Sequence, residues 1–251
     1  MERVRMLVVE PWGSAPVARL GEWLSEAGAD LDVVRPPEIP APSALEECSA
    51  LVVMGGRMGA LDDAEHPWLA AVRALLSAAV SRQLPTLGIC LGAQLLAAAT
   101  GGRVAPIKKG PEVGTLLVAK RDVATEDPLL GPLPLTPDVL QFHHDEVVRL
   151  PPSARLLASS PACENQIFRV GTCAYGLQGH IETTPDIVQD WVRTAAPETV
   201  RAARPGQLEP EHLERFHTEL AETWQPVAER FVRLAAIPPE QRRGTRALPM
   251  A

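Results

Sequence analysis

The sequence predicts an α/β protein: an open, mostly parallel twisted sheet with helices on both faces, extended by antiparallel strands and C-terminal helices. Three observations predict it. Short apolar runs alternate with helical patterns through the first hundred residues. Those runs are apolar throughout, as strands buried on both faces must be. The runs also alternate with helices in the way that a parallel sheet with right-handed crossovers requires.

The elements follow in order. Met6–Val9 is a strand ending at Glu10-Pro11-Trp12-Gly13, and Val17–Ala27 is a helix closed by Gly28. Leu31–Val34 is a second strand, followed by a proline-rich loop from Pro36 to Pro42. Leu51–Met54 is a third strand and stops at Gly55-Gly56. Pro67–Ser81 is a helix, Thr86–Ile89 a strand, and Leu91–Ala99 a helix closed by Gly101-Gly102. Beyond residue 102 the candidate strands are Gly114–Val118, Val139–Phe142, Ala154–Ala158, Gln166–Val170 and Ala174–Leu177. They read as hairpins and meanders added to the parallel sheet. Asp186–Ala195 and Glu209–Ala235 are helices, the second with an expected kink or break near Pro226. The tail from Pro238 has no periodicity and is expected to be flexible.

Composition narrows the function classes. The 251 residues are 46% apolar and 22% charged, with net charge −7 and no long basic run, so no nucleic-acid footprint is present. No apolar run approaches a membrane span, and the N-terminal stretch is too short for a signal peptide. Four cysteines, none in a C-x-x-C pair, argue for free thiols and a reducing cytoplasm. No metal-ligand cluster and no cofactor motif is evident.

Chemistry concentrates at Gly88-Ile89-Cys90-Leu91-Gly92-Ala93-Gln94, between a buried strand and a helix. This is the setting of a nucleophile elbow, with cysteine as the nucleophile. The helix N-terminus favours thiolate over thiol, and its unpaired N–H groups can hold an oxyanion. In isolation Cys90 is also compatible with a small core residue. A nucleophile needs a base, and His180 follows a strand, with Glu182 two residues on. In extended chain these two point to the same side, so one segment supplies a base and the carboxylate that orients it. The other histidines read as loop (His66) or as a solvated helix face (His212, His217). The backbone N–H groups of Gly56 and Leu91 are the candidate oxyanion donors.

Gly55-Gly56, the elbow and His180-Ile181-Glu182, in that order and spacing, resemble the class I (triad) glutamine amidotransferases, in particular the stand-alone proteins similar to the amidotransferase domain of GMP synthase. The resemblance runs from about residue 5 to 195. It implies a flavodoxin-like sheet and an amidotransferase-like domain over residues 1–195; beyond it, the helical pattern reads as an extension over 196–237 packed on the same domain, with a flexible tail over 238–251. It also implies that Cys90 attacks the glutamine side-chain amide, that His180 shuttles the proton, that Glu182 orients His180, and that Gly55, Gln94 and His143 bind substrate. Phe142-His143-His144-Asp145 corresponds to a family stretch that reads His-Gly-Asp, and Glu112-Val113-Gly114 resembles the family's Glu-Ile-Gly.

Four positions depart from the family pattern. Arg57 stands where proline follows the Gly-Gly turn, Gly179 replaces phenylalanine before the histidine, His144 replaces glycine, and Thr115 stands where relatives often carry tryptophan. Gly179 and Thr115 imply a widened pocket. Three functions follow. The first is a glutaminase feeding ammonia to a separate synthetase. The second is a stand-alone hydrolase or peptidase of γ-glutamyl amides, and the third is a non-catalytic binding protein of the same fold.

Overall fold

A computed structural model describes residues 3–238 and residue 241. The chain forms, in order, β1 (Val4–Val9), α1 (Ala18–Glu26), β2 (Ala29–Val34), β3 (Ala50–Val53), α2 (Leu69–Ser81), β4 (Thr86–Ile89) and α3 (Leu91–Ala99). Next come β5 (Arg103–Pro106), β6 (Glu112–Leu117), β7 (Ala119–Lys120), β8 (Asp138–His143), β9 (Asp145–Arg149), β10 (Ala154–Ser159), β11 (Ile167–Val170) and β12 (Ala174–Leu177). After these come α4 (Pro185–Thr194), α5 (Pro197–Val200) and α6 (Pro210–Ala236).

Eight strands make one sheet in the order β2-β1-β3-β4-β12-β11-β10-β7. The first five are parallel, and the last three join antiparallel. Alternation along β1 shows how the sheet is sandwiched. Met6 and Val8 face a core built with Leu20, Trp23 and Leu24 of α1 and with α6, while Leu7 and Val9 face one built with α2 and α3. A strand read on both faces in this way has no room for a polar residue, which is why the run is continuously apolar.

The second half differs from the hairpins expected of it in one decisive place. β12 pairs parallel with β4, Leu177 opposite Ile89, as well as antiparallel with β11. The ribbons β6–β8 and β5–β9 lie outside the main sheet. The strands β5 and β9 escape a reading by pattern because each is short and Val147 alone of β9 is buried.

At Pro226 the helix does not break, and α6 runs continuously through it. Buried Trp224, Val227, Ala228 and Phe231 flank the proline and pack the helix down, offsetting the lost backbone hydrogen bond. Trp224 also donates its Nε1–H to the Asp138 carbonyl of β8, 2.8 Å away. Of the expected tail, only residues 238 and 241 lie within the described residues.

Candidate active site

The parallel strands β1, β3, β4 and β12 end at one edge of the sheet, where ligands bind in open α/β folds. Past β4 the chain turns sharply at Cys90, whose φ of 51° and ψ of −107° are a strained conformation for a residue with a side chain. Two glycines permit the turn. A Cβ at Gly88 would come within 2.6 Å of the Gly92 backbone, and one at Gly92 would run into the Val53 carbonyl of β3. The elbow is pinned to the next strand by Cys90 N–H donating to Leu177 O at 2.8 Å. Gly92→Ala is therefore expected to destabilise the protein by about 3 kcal/mol or more, because backbone must move to admit the methyl. Chemical denaturation of the variant checks this, and a loss below about 1 kcal/mol would contradict the packing described.

His180 lies three residues beyond β12 and is held by a reciprocal backbone bridge to Leu140 of β8. Its Nδ1 is 2.7 Å from Glu182 Oε1, as the same-side spacing predicts. The other oxygen of Glu182 accepts the Ile181 N–H at 2.9 Å, and the residue is fully buried. On its other side the imidazole faces Cys90. A Cβ placed on Gly55 would lie 3.2 Å from His180 Cε1 and 3.6 Å from Cys90 Cβ, so the two side chains meet over that glycine. The Trp191 ring of α4 packs edge-on against the imidazole with centroids 4.7 Å apart. Burial works against a charged imidazole. The Glu182 carboxylate and the Cys90 sulfur outweigh it and hold the His180 imidazolium up at about 10. An imidazolium beside a sulfur is the arrangement that supports a thiolate nucleophile.

Both candidate oxyanion donors are available. Neither Gly56 N–H nor Leu91 N–H donates to a protein acceptor among the described residues, and a Cβ on Gly56 would touch Leu91 Cδ2 at 2.8 Å. Cys90, Gly56, Gln94, His143 and His180 all line one cavity of about 520 Å³. Gly55 lies just beneath it, between Cys90 and His180.

The other sequence expectations divide. Gln94 reaches the cavity, with its amide nitrogen on Asp145 O at 3.0 Å and Gln178 Oε1 at 3.3 Å. His143 forms part of the wall, but both its ring nitrogens are engaged inward, Nδ1 with Asp145 O at 2.9 Å and Nε2 with Glu112 Oε2 at 3.0 Å. That Glu112 carboxylate also accepts from Ser160 and Gln166, so it anchors a buried polar network and not the cavity surface.

The widening expected from Gly179 and Thr115 is corrected, since neither lines the cavity. Gly179 faces β8, where a Cβ would meet Val139 at 2.6 Å, and Thr115 bonds His212 Nε2 at 2.8 Å. His212 is half-buried, and His217 is not on a solvated face. His217 is 2% exposed and lies between Leu213 O and Thr183 Oγ1, one residue from Glu182. Burial lowers its affinity for a proton, so it stays neutral, with Nδ1–H donating to Leu213 and Nε2 accepting from Thr183.

Sequence reasoning does not single out Asp145. It is the one carboxylate among the residues lining the cavity, and burial, then Asp62, push its protonation upward from the usual carboxylate range. Its signal lies in the Phe142-His143-His144-Asp145 segment, where the two histidines are the more conspicuous residues. Among the described residues no group of three or more His, Cys, Asp or Glu side chains could hold a metal ion, and no helix is long and apolar enough to cross a membrane.

An elbow cysteine and a His-x-Glu segment brought together at the carboxyl ends of neighbouring parallel strands define an open α/β protein with a thiol–imidazole–carboxylate site. The sequence profile described as Glutamine amidotransferase class-I matches residues 17–190, and the chain belongs to that family. It is 32% identical over 155 residues to gamma-glutamyl peptidase 4 of Arabidopsis thaliana, covering 61% of each chain. It is 35% identical over 149 residues to a glutamine-hydrolyzing GMP synthase subunit of Thermoplasma acidophilum, covering 59% of this chain and 69% of that one. Of the peptidase relatives it thus spans about three-fifths of the length. The solved glutamine amidotransferase of Methylobacillus flagellatus superposes with a TM-score of 0.79 at 25% identity, over 93% of this chain and 96% of that one.

Proposed function

We propose that the protein hydrolyses γ-glutamyl amides carrying a substituent on the amide nitrogen, through a thioester on Cys90. The Cys90 sulfur attacks the γ-carbonyl carbon, forming a C–S bond, and the carbonyl electron pair moves onto oxygen beneath the Gly56 and Leu91 N–H groups. As that oxyanion collapses, the C–N bond breaks and the leaving amine takes the proton from His180 Nε2. Water then attacks the thioester carbon and gives His180 a proton. The C–S bond breaks, glutamate leaves, and the sulfur regains its starting state. Glu182 keeps Nδ1–H engaged and stabilises the imidazolium throughout. Asp145, the carboxylate that lines the cavity, receives the substrate's α-ammonium.

The observation that carries this reading is the cavity. Its volume of about 520 Å³ is more than one glutamine molecule fills, and its lining includes Trp12, Ser14, Arg57 and Met58 as well as Cys90 and His180. Similarity to a gamma-glutamyl peptidase supports the same substrate class. Hydrolysis of glutamine and a panel of γ-glutamyl amides tests it. At least one substituted amide is expected to exceed glutamine in kcat/KM by about tenfold, the effect of modest added binding. Glutamine turned over faster than every amide in the panel would overturn it.

Similarity to a glutamine-hydrolyzing GMP synthase favours a second reading, in which glutamine is the substrate and the ammonia passes to a synthetase partner. On that reading the isolated protein is a poor glutaminase, and the partner activates it.

A further inference from the structure

Arg57 occupies the turn after Gly55-Gly56, in the position next to the candidate oxyanion donor Gly56, and lines the cavity. Its guanidinium lies over the Trp12 ring, 5.9 Å from the centroid, a distance at which the ring face holds a cation in place. No carboxylate of the described residues lies within ion-pair distance of it. It is the one arginine or lysine among the lining residues, as Asp145 is the one carboxylate. A cation placed in a cavity wall without a protein anion is available to an anion on the ligand.

The position of Arg57 decides which end of the substrate it meets. Trp12 shares a loop with Ala15, whose Cβ lies 3.8 Å from a Cβ built on Gly55; the same built atom lies 3.2 Å from His180 Cε1. The Trp12–Arg57 wall therefore adjoins the imidazole that gives its proton to the leaving nitrogen. On the γ-glutamyl amide reading the glutamyl end meets a different wall, where Gln94 Nε2 donates to the Asp145 backbone carbonyl. The Trp12 loop is also fixed in advance. Buried Glu10 accepts the Val17 N–H at 2.8 Å and pairs with Arg35, and Trp191 donates to Ser14 O at 2.7 Å.

We propose that Arg57 binds a carboxylate on the amine portion of the substrate, so that the preferred substrates are γ-glutamyl amino acids and short γ-glutamyl peptides. This rests on the γ-glutamyl amide reading above and narrows it. A planar guanidinium fork matches a carboxylate in two hydrogen bonds, which neither ammonia nor a neutral amine can supply.

The test compares γ-glutamyl-glycine with γ-glutamyl-glycinamide, which differ by one carboxylate, in wild type, Arg57→Gln and Arg57→Lys. Wild type is expected to favour γ-glutamyl-glycine in kcat/KM by about ten- to a hundredfold, the range for a hydrogen-bonded charge. In Arg57→Gln that ratio is expected to fall to about one, mainly through KM, and in Arg57→Lys to take an intermediate value. An unchanged ratio in Arg57→Gln, or no preference in wild type, overturns the role of Arg57 while leaving γ-glutamyl amide hydrolysis standing. Failure of wild type to hydrolyse either compound overturns both. Arg57 is exposed, and thermal melting of each variant shows that the fold is retained.

Discussion

Cys90→Ala is expected to lower kcat on any γ-glutamyl substrate by about 10⁴-fold or more, because no other group can form the thioester. The fold should survive. Cys90 is 6% exposed, forms no disulfide, and contributes little beyond a small side chain lining the cavity. Alanine retains the positive φ but loses the thiol, so any strain in the turn is common to both proteins. Because thiol, imidazole and carboxylate act as a unit, His180→Ala in the Cys90→Ala background should add almost nothing. A double variant much slower than either single one would mean that another nucleophile is at work.

The second large effect is expected at Glu182. Replacing it with glutamine preserves volume at a fully buried position but removes the charge that outweighs burial at His180. The His180 proton should then be lost well below its wild-type value of about 10. Turnover should fall by about 10³- to 10⁴-fold, the scale seen when the orienting carboxylate of a triad is neutralised. The sign for stability follows from the same shift. Unfolded, His180 titrates near about 6.5, so its pairing contributes fully below that value and is lost as pH rises toward 10. Ring-proton NMR titration of His180 in wild type and Glu182→Gln reads the shift directly, and an unmoved midpoint would remove Glu182 from the account.

Local signals carry far into this structure. The strand Thr86–Ile89, the turn at Cys90 and the helix Leu91–Ala99 are marked by glycines whose positions sterics demands, so the sequence places them to the residue. The pairing of His180 with Glu182 is legible for a similar reason, as both lie in one extended segment. What brings His180 to Cys90 is not. It depends on β12 entering the sheet parallel to β4, a pairing between segments distant in the chain, and no local pattern encodes it. The histidines of α6 mislead for another reason. His217 sits in the apolar stripe of Leu213, Phe216, Leu220 and Trp224, but the many charges on the same helix obscure that period. Gly179 and Thr115 show the limit of substitution arguments. A family difference says that a side chain changed, and only the fold says which way it points.

The proposed chemistry stands or falls on a covalent γ-glutamyl intermediate. Mixing wild-type protein with γ-glutamyl-glycine, quenching with acid in the first turnover and sequencing the digest by mass spectrometry should find one γ-glutamyl group added to the peptide bearing Cys90. The adduct should be absent from Cys90→Ala. Product formation with no such adduct, or an adduct on a different residue, would contradict the account.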